Sequence, residues 1–225
     1  MPRIDIEGDA RAAFDILKNG GSAILPMDVG YAFIGGSTDA LKRIFEAKQR
    51  GPTKLNAMIG DNAMSEALHV LTGAQRAIVD AITVDQGLPL GIIAPARMEH
   101  PLLQALDDEG RARSTRGGTV CMLLNAGPFH AVIAKLSRLE GHPLFGSSAN
   151  RSLQGTKFRV EDIEPDVIAV ADHVVDYGLR KFHRYRASST LLDMTTLDVV
   201  RHGACFELIA DTLARQFGIA LPPAP

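Results

Sequence analysis

Short apolar runs bounded by glycine, proline and polar residues set the limits on how this chain can fold. Residues 22–27 (SAILPM), 88–95 (LPLGIIAP) and 119–124 (TVCMLL) are strand-length and too short for buried helices. Amphipathic helical stretches fall between them. Residues 9–18 place Ala13, Phe14, Ile16 and Leu17 inward and stop at Gly20-Gly21; residues 128–139 do the same with Ala131, Ile133, Ala134 and Leu136. A third helix begins at Ser37-Thr38-Asp39, which offers an N-cap, and carries Leu41, Ile44 and Phe45. Strands alternating with helices indicate an α/β fold with a twisted, open, mixed sheet flanked by helices.

The remaining segments extend that pattern. Residues 55–60 are strand-like, Asp61-Asn62 caps a helix through 71, and 74–82 is helical again. A short helix is expected at 100–106, a charged surface loop at 107–118 and a brief strand at 144–145. Beyond these come a short helix at 160–163, strands at 167–170 and 174–176, a hairpin of 189–193 with 198–201, and a terminal helix at 206–217. The reading is one domain over 1–218, with 219–225 a frayed tail.

Composition narrows the class. The 225 residues are 46% hydrophobic and 22% charged, ordinary globular values that allow a substantial core. A net charge of −2 supplies no general attraction to nucleic acid or an anionic membrane, so such binding needs a local patch. Cys121 and Cys205 sit in apolar segments, as reduced, buried thiols would. The first residues lack the apolar run of a signal peptide and no segment is long enough to span a bilayer, so the expectation is cytoplasmic.

The chemically suggestive stretch is Lys48-Gln49-Arg50-Gly51-Pro52-Thr53-Lys54, three cations within seven residues. Stepping i+3 from Phe45 lands on Lys48, which places a lysine on the buried face of a helix. It either snorkels at the helix terminus or meets an anion. Gly51-Pro52 breaks the helix, so Arg50 and Lys54 leave on a loop, where the three cations can converge on a polyphosphate. No P-loop, no dinucleotide fingerprint, no G-x-S-x-G elbow and no paired histidine spacing occurs. Ser147-Ser148-Ala149-Asn150 ends a strand with small and polar residues. Such a turn suits close approach to phosphate or ribose, and equally suits a plain turn.

Taken in order, these pieces resemble the YrdC-like family, the threonylcarbamoyl-AMP synthases, over roughly residues 8 to 205. The apolar strand ending in Pro26 with Asp28 and Tyr31 after it comes first. Lys48-x-Arg50, Ser148-Ala149-Asn150, Ser189-Thr190-Leu191-Leu192-Asp193 and Arg201-x-Gly203 follow. The resemblance implies a reaction joining threonine and bicarbonate to ATP, with Mg²⁺ on the phosphates, to give threonylcarbamoyl-adenylate and pyrophosphate for modification of tRNA. It implies that Lys48 and Arg50 act catalytically on the nucleotide. Lys54, Ser148, Asn150, Ser189 and Arg201 complete the ATP site, and Pro26, Asp28 and Tyr31 help form the amino-acid pocket.

The departures cluster at the substrate end. Met27 and Val29 stand where the family has threonines, Gly91 replaces a third, and the arginine of the 120–125 strand is missing near Met122. Replacing hydrogen-bonding groups with apolar ones should change the preferred acid, so threonine or another small acid is expected. A different function class is a non-catalytic tRNA- or double-stranded-RNA-binding or nucleotide-sensing module. Its motivation is residues 179–186, where Arg180, Lys181, Arg184 and Arg186 interleave with Phe182 and Tyr185. An exposed basic loop beside the site fits the same residues.

Overall fold

The computed structural model describes residues 4–51 and 54–223. Pro52 and Thr53, of the basic run that the sequence singles out, therefore lie outside the described residues. The strands are β1 (Ser22–Met27), β2 (Gly30–Gly35), β3 (Ala57–Ile59), β4 (Leu90–Pro95), β5 (Thr115–Arg116), β6 (Thr119–Leu124), β7 (Phe145–Ser148), β8 (His173–Val174), β9 (Thr190–Asp193) and β10 (Val199–Arg201). The helices are α1 (Ile6–Lys18), α2 (Thr38–Ala47), α3 (Asn62–Leu68), α4 (Gly73–Asp80), α5 (Pro101–Gln104), α6 (Asp108–Ala112), α7 (Pro128–Leu139), α8 (Pro165–Ile168) and α9 (Phe206–Phe217). Among the described residues no helix is long and apolar enough to cross a membrane.

The strands form one mixed sheet in the order β10-β9-β4-β6-β3-β7-β2-β1-β8, with β5 pairing on β6. β1 turns straight back into β2 as an antiparallel hairpin, Met27 opposite Gly30. β3–β6 and β4–β9 run parallel, each joined through long connections that include other strands of the same sheet. The expected α/β architecture is the observed one.

Helices cover the two faces unequally. On one face Phe33, Met58, Ile92, Met122 and Phe145 pack with Leu41 and Ile44 of α2, Ile78 and Val79 of α4 and Ile209 and Leu213 of α9. On the other, α1 and α7 bury Phe14, Leu17, Phe129 and Ile133 against Leu25, Ala32 and Ile34. β1 and β2 are accordingly buried on both sides, whereas β6 and β9 alternate buried with half-buried residues. The β6–β4–β9 half of that second face lacks a helical cover, and it forms the floor of a concave pocket.

Several local expectations are corrected. Residues 167–170 are not a strand. Pro165 occupies the first turn of α8 and Val167 is buried toward α2, so a short apolar run that periodicity cannot assign is helical here. Residues 107–118 are not an unstructured loop: Asp107 accepts from the backbone N–H of Gly110 to start α6, and β5 follows. The charges there do pair, Arg113 with Glu109 at 2.9 Å and Arg111 with Asp108 at 3.4 Å. Lys42 of α2 also joins Glu109 at 2.8 Å. Cys205 is buried as expected, but Cys121 is half-buried on the pocket floor; both are free thiols. In the tail, Ile219 and Leu221 pack against the core beside α9, and the Ile219 N–H donates to Leu213 O at 3.1 Å.

Candidate functional site

The pocket encloses about 850 Å³, counting its open mouth, over the uncovered half-face. Strand alternation explains its lining. Met58 pairs with Met122, so the neighbouring Ala57 and Cys121 point to the opposite face, as do Ile59 and Leu123. Gly91 sits between Leu123 on β6 and Leu191 on β9. Ala32 pairs with Ser148, which brings the serine turn to the pocket edge.

Two arginines reach this pocket from opposite ends of the chain. α2 stops at Ala47, and Gln49 takes a left-handed φ of 48°, so Arg50 leaves the helix as expected. Its Nη2 donates to Leu55 O at 2.6 Å, its guanidinium lies 5.2 Å from the Phe45 ring centre, and its Nε is buried with no protein partner. Arg201 ends β10 at the sheet edge; its Nε donates to Ser189 O at 2.9 Å and its Nη2 to Ser189 Oγ at 3.3 Å. Between them lies Cys121, whose thiol burial pushes up to about 11 while both guanidinium charges pull the other way. A thiol so placed is protonated and non-nucleophilic near neutrality. Ser147, Ser148, Ser188 and Ser189 complete the polar lining, and no carboxylate is among the lining residues. An anion is the natural complement.

Lys48 is placed differently. It is 1% exposed and approaches β7 from the α2 face, donating from Nζ to Ser147 Oγ and to the carbonyl of Ser148. Burial is the largest influence on its pKa, drawn down to about 7, with Arg50 adding repulsion and Glu164 opposing both. The backbone continues the same contact, as the Ser152 N–H donates to Lys48 O at 2.9 Å. Lys48 thus ends α2 with its amine held internally by a hydroxyl and a carbonyl of the serine turn, neither snorkelling to water nor lining the pocket. Asn150 is also buried, accepting from Ser148 Oγ and donating to Arg151 O. Lys54 is exposed outside the pocket lining.

At the other end, only Tyr31 of the three expected acid-pocket residues lines the pocket. Its hydroxyl lies 2.9 Å from both Asp176 Oδ1 and Gly178 O and accepts from the Tyr177 N–H at 3.0 Å, so its polar atom is already committed. Pro26 lies buried in β1. Asp28 is 8% exposed and faces Arg180, whose Nη2 lies 3.4 Å from Oδ1, with Lys181 Nζ 4.0 Å from Oδ2. Burial raises the Asp28 pKa and the two cations offset part of that rise.

The basic stretch therefore docks on the β1–β2 turn. Arg180 Nε also donates to Met27 O at 3.2 Å, the Phe182 N–H to Asp28 O at 2.9 Å, and the Tyr185 hydroxyl to Glu207. Sequence reasoning missed the Asp28–Arg180 partnership. Ser147 and Ser188, beside the residues it named, also line the pocket; their polarity in strand-end turns was the available signal.

A family model described as telomere recombination, covering Sua5, YciO and YrdC, matches residues 15–203. The chain belongs to the Sua5/YciO/YrdC family. Among solved structures, a hypothetical protein from Streptococcus mutans UA159 is similar at 24% identity and a TM-score of 0.78, covering 94% of this chain and 93% of that one. P. abyssi Sua5 complexed with L-threonine is similar at 21% identity and a TM-score of 0.71 over 99% of this chain, which corresponds to 61% of that longer protein. E. coli YciO is similar at 19% identity and a TM-score of 0.64, covering 90% and 91%. At these identities the likeness establishes the fold. No curated protein matches.

Proposed function

We propose that this member of the Sua5/YciO/YrdC family is an ATP-dependent, adenylate-forming nucleotidyltransferase of the threonylcarbamoyl-AMP synthase type. The observation that carries the reading is the convergence of Arg50 and Arg201 with four serines in a concave, carboxylate-free pocket. A nucleotide triphosphate matches that chemistry, because guanidinium forks grip phosphate oxygens in pairs and a helix-end loop lets them approach. The unpartnered Arg50 Nε is a donor in place for such a ligand.

In the reaction type proposed, the amino nitrogen of an acid adds to the carbon of bicarbonate with loss of water. A carbamate oxygen then attacks the α-phosphorus of ATP, the bond from that phosphorus to the bridging oxygen breaks, and pyrophosphate leaves. The chain's part is positional and electrostatic: Arg50 and Arg201 hold and neutralise the phosphates as charge moves onto pyrophosphate. Lys48 shapes the Ser147–Ser148 end of β7 that borders them. Among the described residues no group of three His, Cys, Asp or Glu could hold a metal, so Mg²⁺ would enter on the nucleotide as part of the substrate.

RNA binding through residues 179–186 has weaker support. Arg180 is committed to Asp28, Phe182 packs on the core and Tyr185 holds Glu207, so the aromatics expected to stack on bases face inward or are tethered.

The test is calorimetric titration with an α,β-methylene ATP analogue and Mg²⁺, followed by pyrophosphate release with ATP, bicarbonate and each amino acid in turn. Arg50→Ala and Arg201→Ala should each weaken analogue binding about 10- to 100-fold, the value of a charge-assisted hydrogen bond of roughly 1.5–3 kcal/mol. Unaltered binding in both variants would refute the assignment.

A further inference from the structure

The segment that joins β8 to β9 has to cross the sheet, because β8 is one edge strand and β9 lies next to the other edge. Residues 179–188 make that crossing along the pocket. At one end Arg180 Nε donates to Met27 O and the Phe182 N–H to Asp28 O, and Met27 is itself a lining residue. At the other end Ser188 and Ser189 are lining residues. In between, Phe182 packs with the apolar cluster of the α1–α7 face and the Tyr185 hydroxyl is tied to Glu207 of α9. The stretch is thus fixed at both ends and in the middle.

That anchoring uses one of its four cations. Arg180 is committed to Asp28, whereas Lys181, Arg184 and Arg186 are exposed. Among the described residues the Arg184 and Arg186 side chains have no partner, and Lys181, 65% exposed, stands 4.0 Å from Asp28 Oδ2. No Asp or Glu occurs between residues 177 and 192. Arg186 is two residues from Ser188, which keeps its Cα within about 7 Å of that lining residue. Lys181 sits between the two residues that bind the β1–β2 turn.

These cations therefore stand along the rim of a pocket lined by two arginines and four serines without a carboxylate. The rest of the molecule gives an anion no help, since the chain carries a net charge of −2. At physiological ionic strength screening sets in over about 8 Å, so only charges near the opening act on an approaching nucleotide. Exposed charges of this kind add little to a bound state that water and salt screen, yet they raise the frequency of productive encounters.

We propose that Lys181, Arg184 and Arg186 form an electrostatic guide that speeds capture of the anionic nucleotide and takes no part in holding it. The proposal rests on the adenylate-forming reading above and deepens it, by separating capture along this stretch from retention by Arg50 and Arg201.

The test is stopped-flow association of an anthraniloyl-labelled α,β-methylene ATP analogue and Mg²⁺ with the full chain, from about 0.02 to about 0.5 M salt. The triple variant Lys181→Gln, Arg184→Gln, Arg186→Gln should associate about 10-fold more slowly at low salt, within the range that steering supplies. Its dissociation rate should match wild type, and the two association rates should converge at high salt. The charge-keeping triple variant Lys181→Arg, Arg184→Lys, Arg186→Lys should associate like wild type. Melting temperatures check that each variant folds; if the glutamine triple does not, its three single substitutions decide, each slowing association about twofold. Unaltered association overturns the proposal, and so does faster dissociation, which would make these cations part of the grip. Failure of the analogue to bind wild type removes the adenylate-forming reading and this proposal with it, whereas loss of steering alone leaves that reading standing.

Discussion

Lys48 concentrates the physical cost of the site in one side chain. Its amine is removed from water by the α2 face and the end of β7, and its two oxygen partners, a hydroxyl and a carbonyl, carry no compensating charge. Burial therefore favours the neutral amine, and the pKa falls to about 7 from 10.5. The sign follows from proton counting. Between pH 7 and 10.5 the unfolded chain binds a proton at this lysine that the folded chain has largely lost, so stability rises with pH across that window. Below pH 7 both states are protonated and the full penalty is felt. Urea unfolding at pH 7, 8 and 9 should show wild-type stability climbing relative to Lys48→Met, whose profile lacks this contribution. Parallel profiles would mean that the lysine keeps its ordinary pKa. Position 48 was legible as a buried lysine from the i+3 step after Phe45. Which oxygens it meets was not, because they lie 99 and 100 residues away.

The strap formed by residues 179–186 shows how an element is given its role by a partner far along the chain. Read alone, its cations and aromatics match an RNA-binding stretch. Folded, it is pinned to the β1–β2 turn by a pair whose side chains are 12% and 11% exposed, Arg180 and Asp28. Removing Arg180 leaves the mostly buried Asp28 carboxylate with only the exposed Lys181 at 4.0 Å, at a cost of about 3 kcal/mol. Arg180→Met should lower stability by about that amount and raise amide exchange chiefly in residues 26–31 and 177–186. Asp28→Asn, which also removes the buried carboxylate, should cost less. Exchange unchanged in both segments would show that Phe182 packing, rather than the ion pair, holds the strap. A similar long-range decision accounts for α8, where burial of Val167 overrode a strand-like composition.

On the scale of the whole molecule, the important fact is that α1 and α7 cover only part of one sheet face. The other face is closed by α2, α4 and α9 together with shorter helices, so the uncovered β6–β4–β9 half presents a floor on a rigid sheet. A ligand settling there binds the folded chain alone. At about 100 times its dissociation constant it should contribute roughly 2.7 kcal/mol of stability. For a domain of this size that corresponds to a rise of about 5–10 °C in melting temperature. Scanning calorimetry with increasing α,β-methylene ATP analogue and Mg²⁺ should trace this rise, and Arg50→Ala should need higher analogue concentrations to reach it. A melting temperature that stays constant through millimolar analogue would place the nucleotide elsewhere.

By itself the sequence determined what depends on neighbours within a few residues. Short apolar runs made β1, β4 and β6, Ser37 and Asp61 capped the helices that follow them, and the basic run after α2 put Arg50 on a loop. The order of motifs identified the family. Only the tertiary structure decided which polar groups are available to a ligand. Tyr31 lines the pocket but its hydroxyl is taken up by Asp176 and Gly178, the Asp28 carboxylate faces Arg180, and Leu123, Gly91 and Leu191 become one surface only when β6, β4 and β9 pair. The reason is that hydrogen bonds and ion pairs saturate: a side chain satisfied by a partner over a hundred residues away has little left for substrate, and a linear reading does not show that pairing.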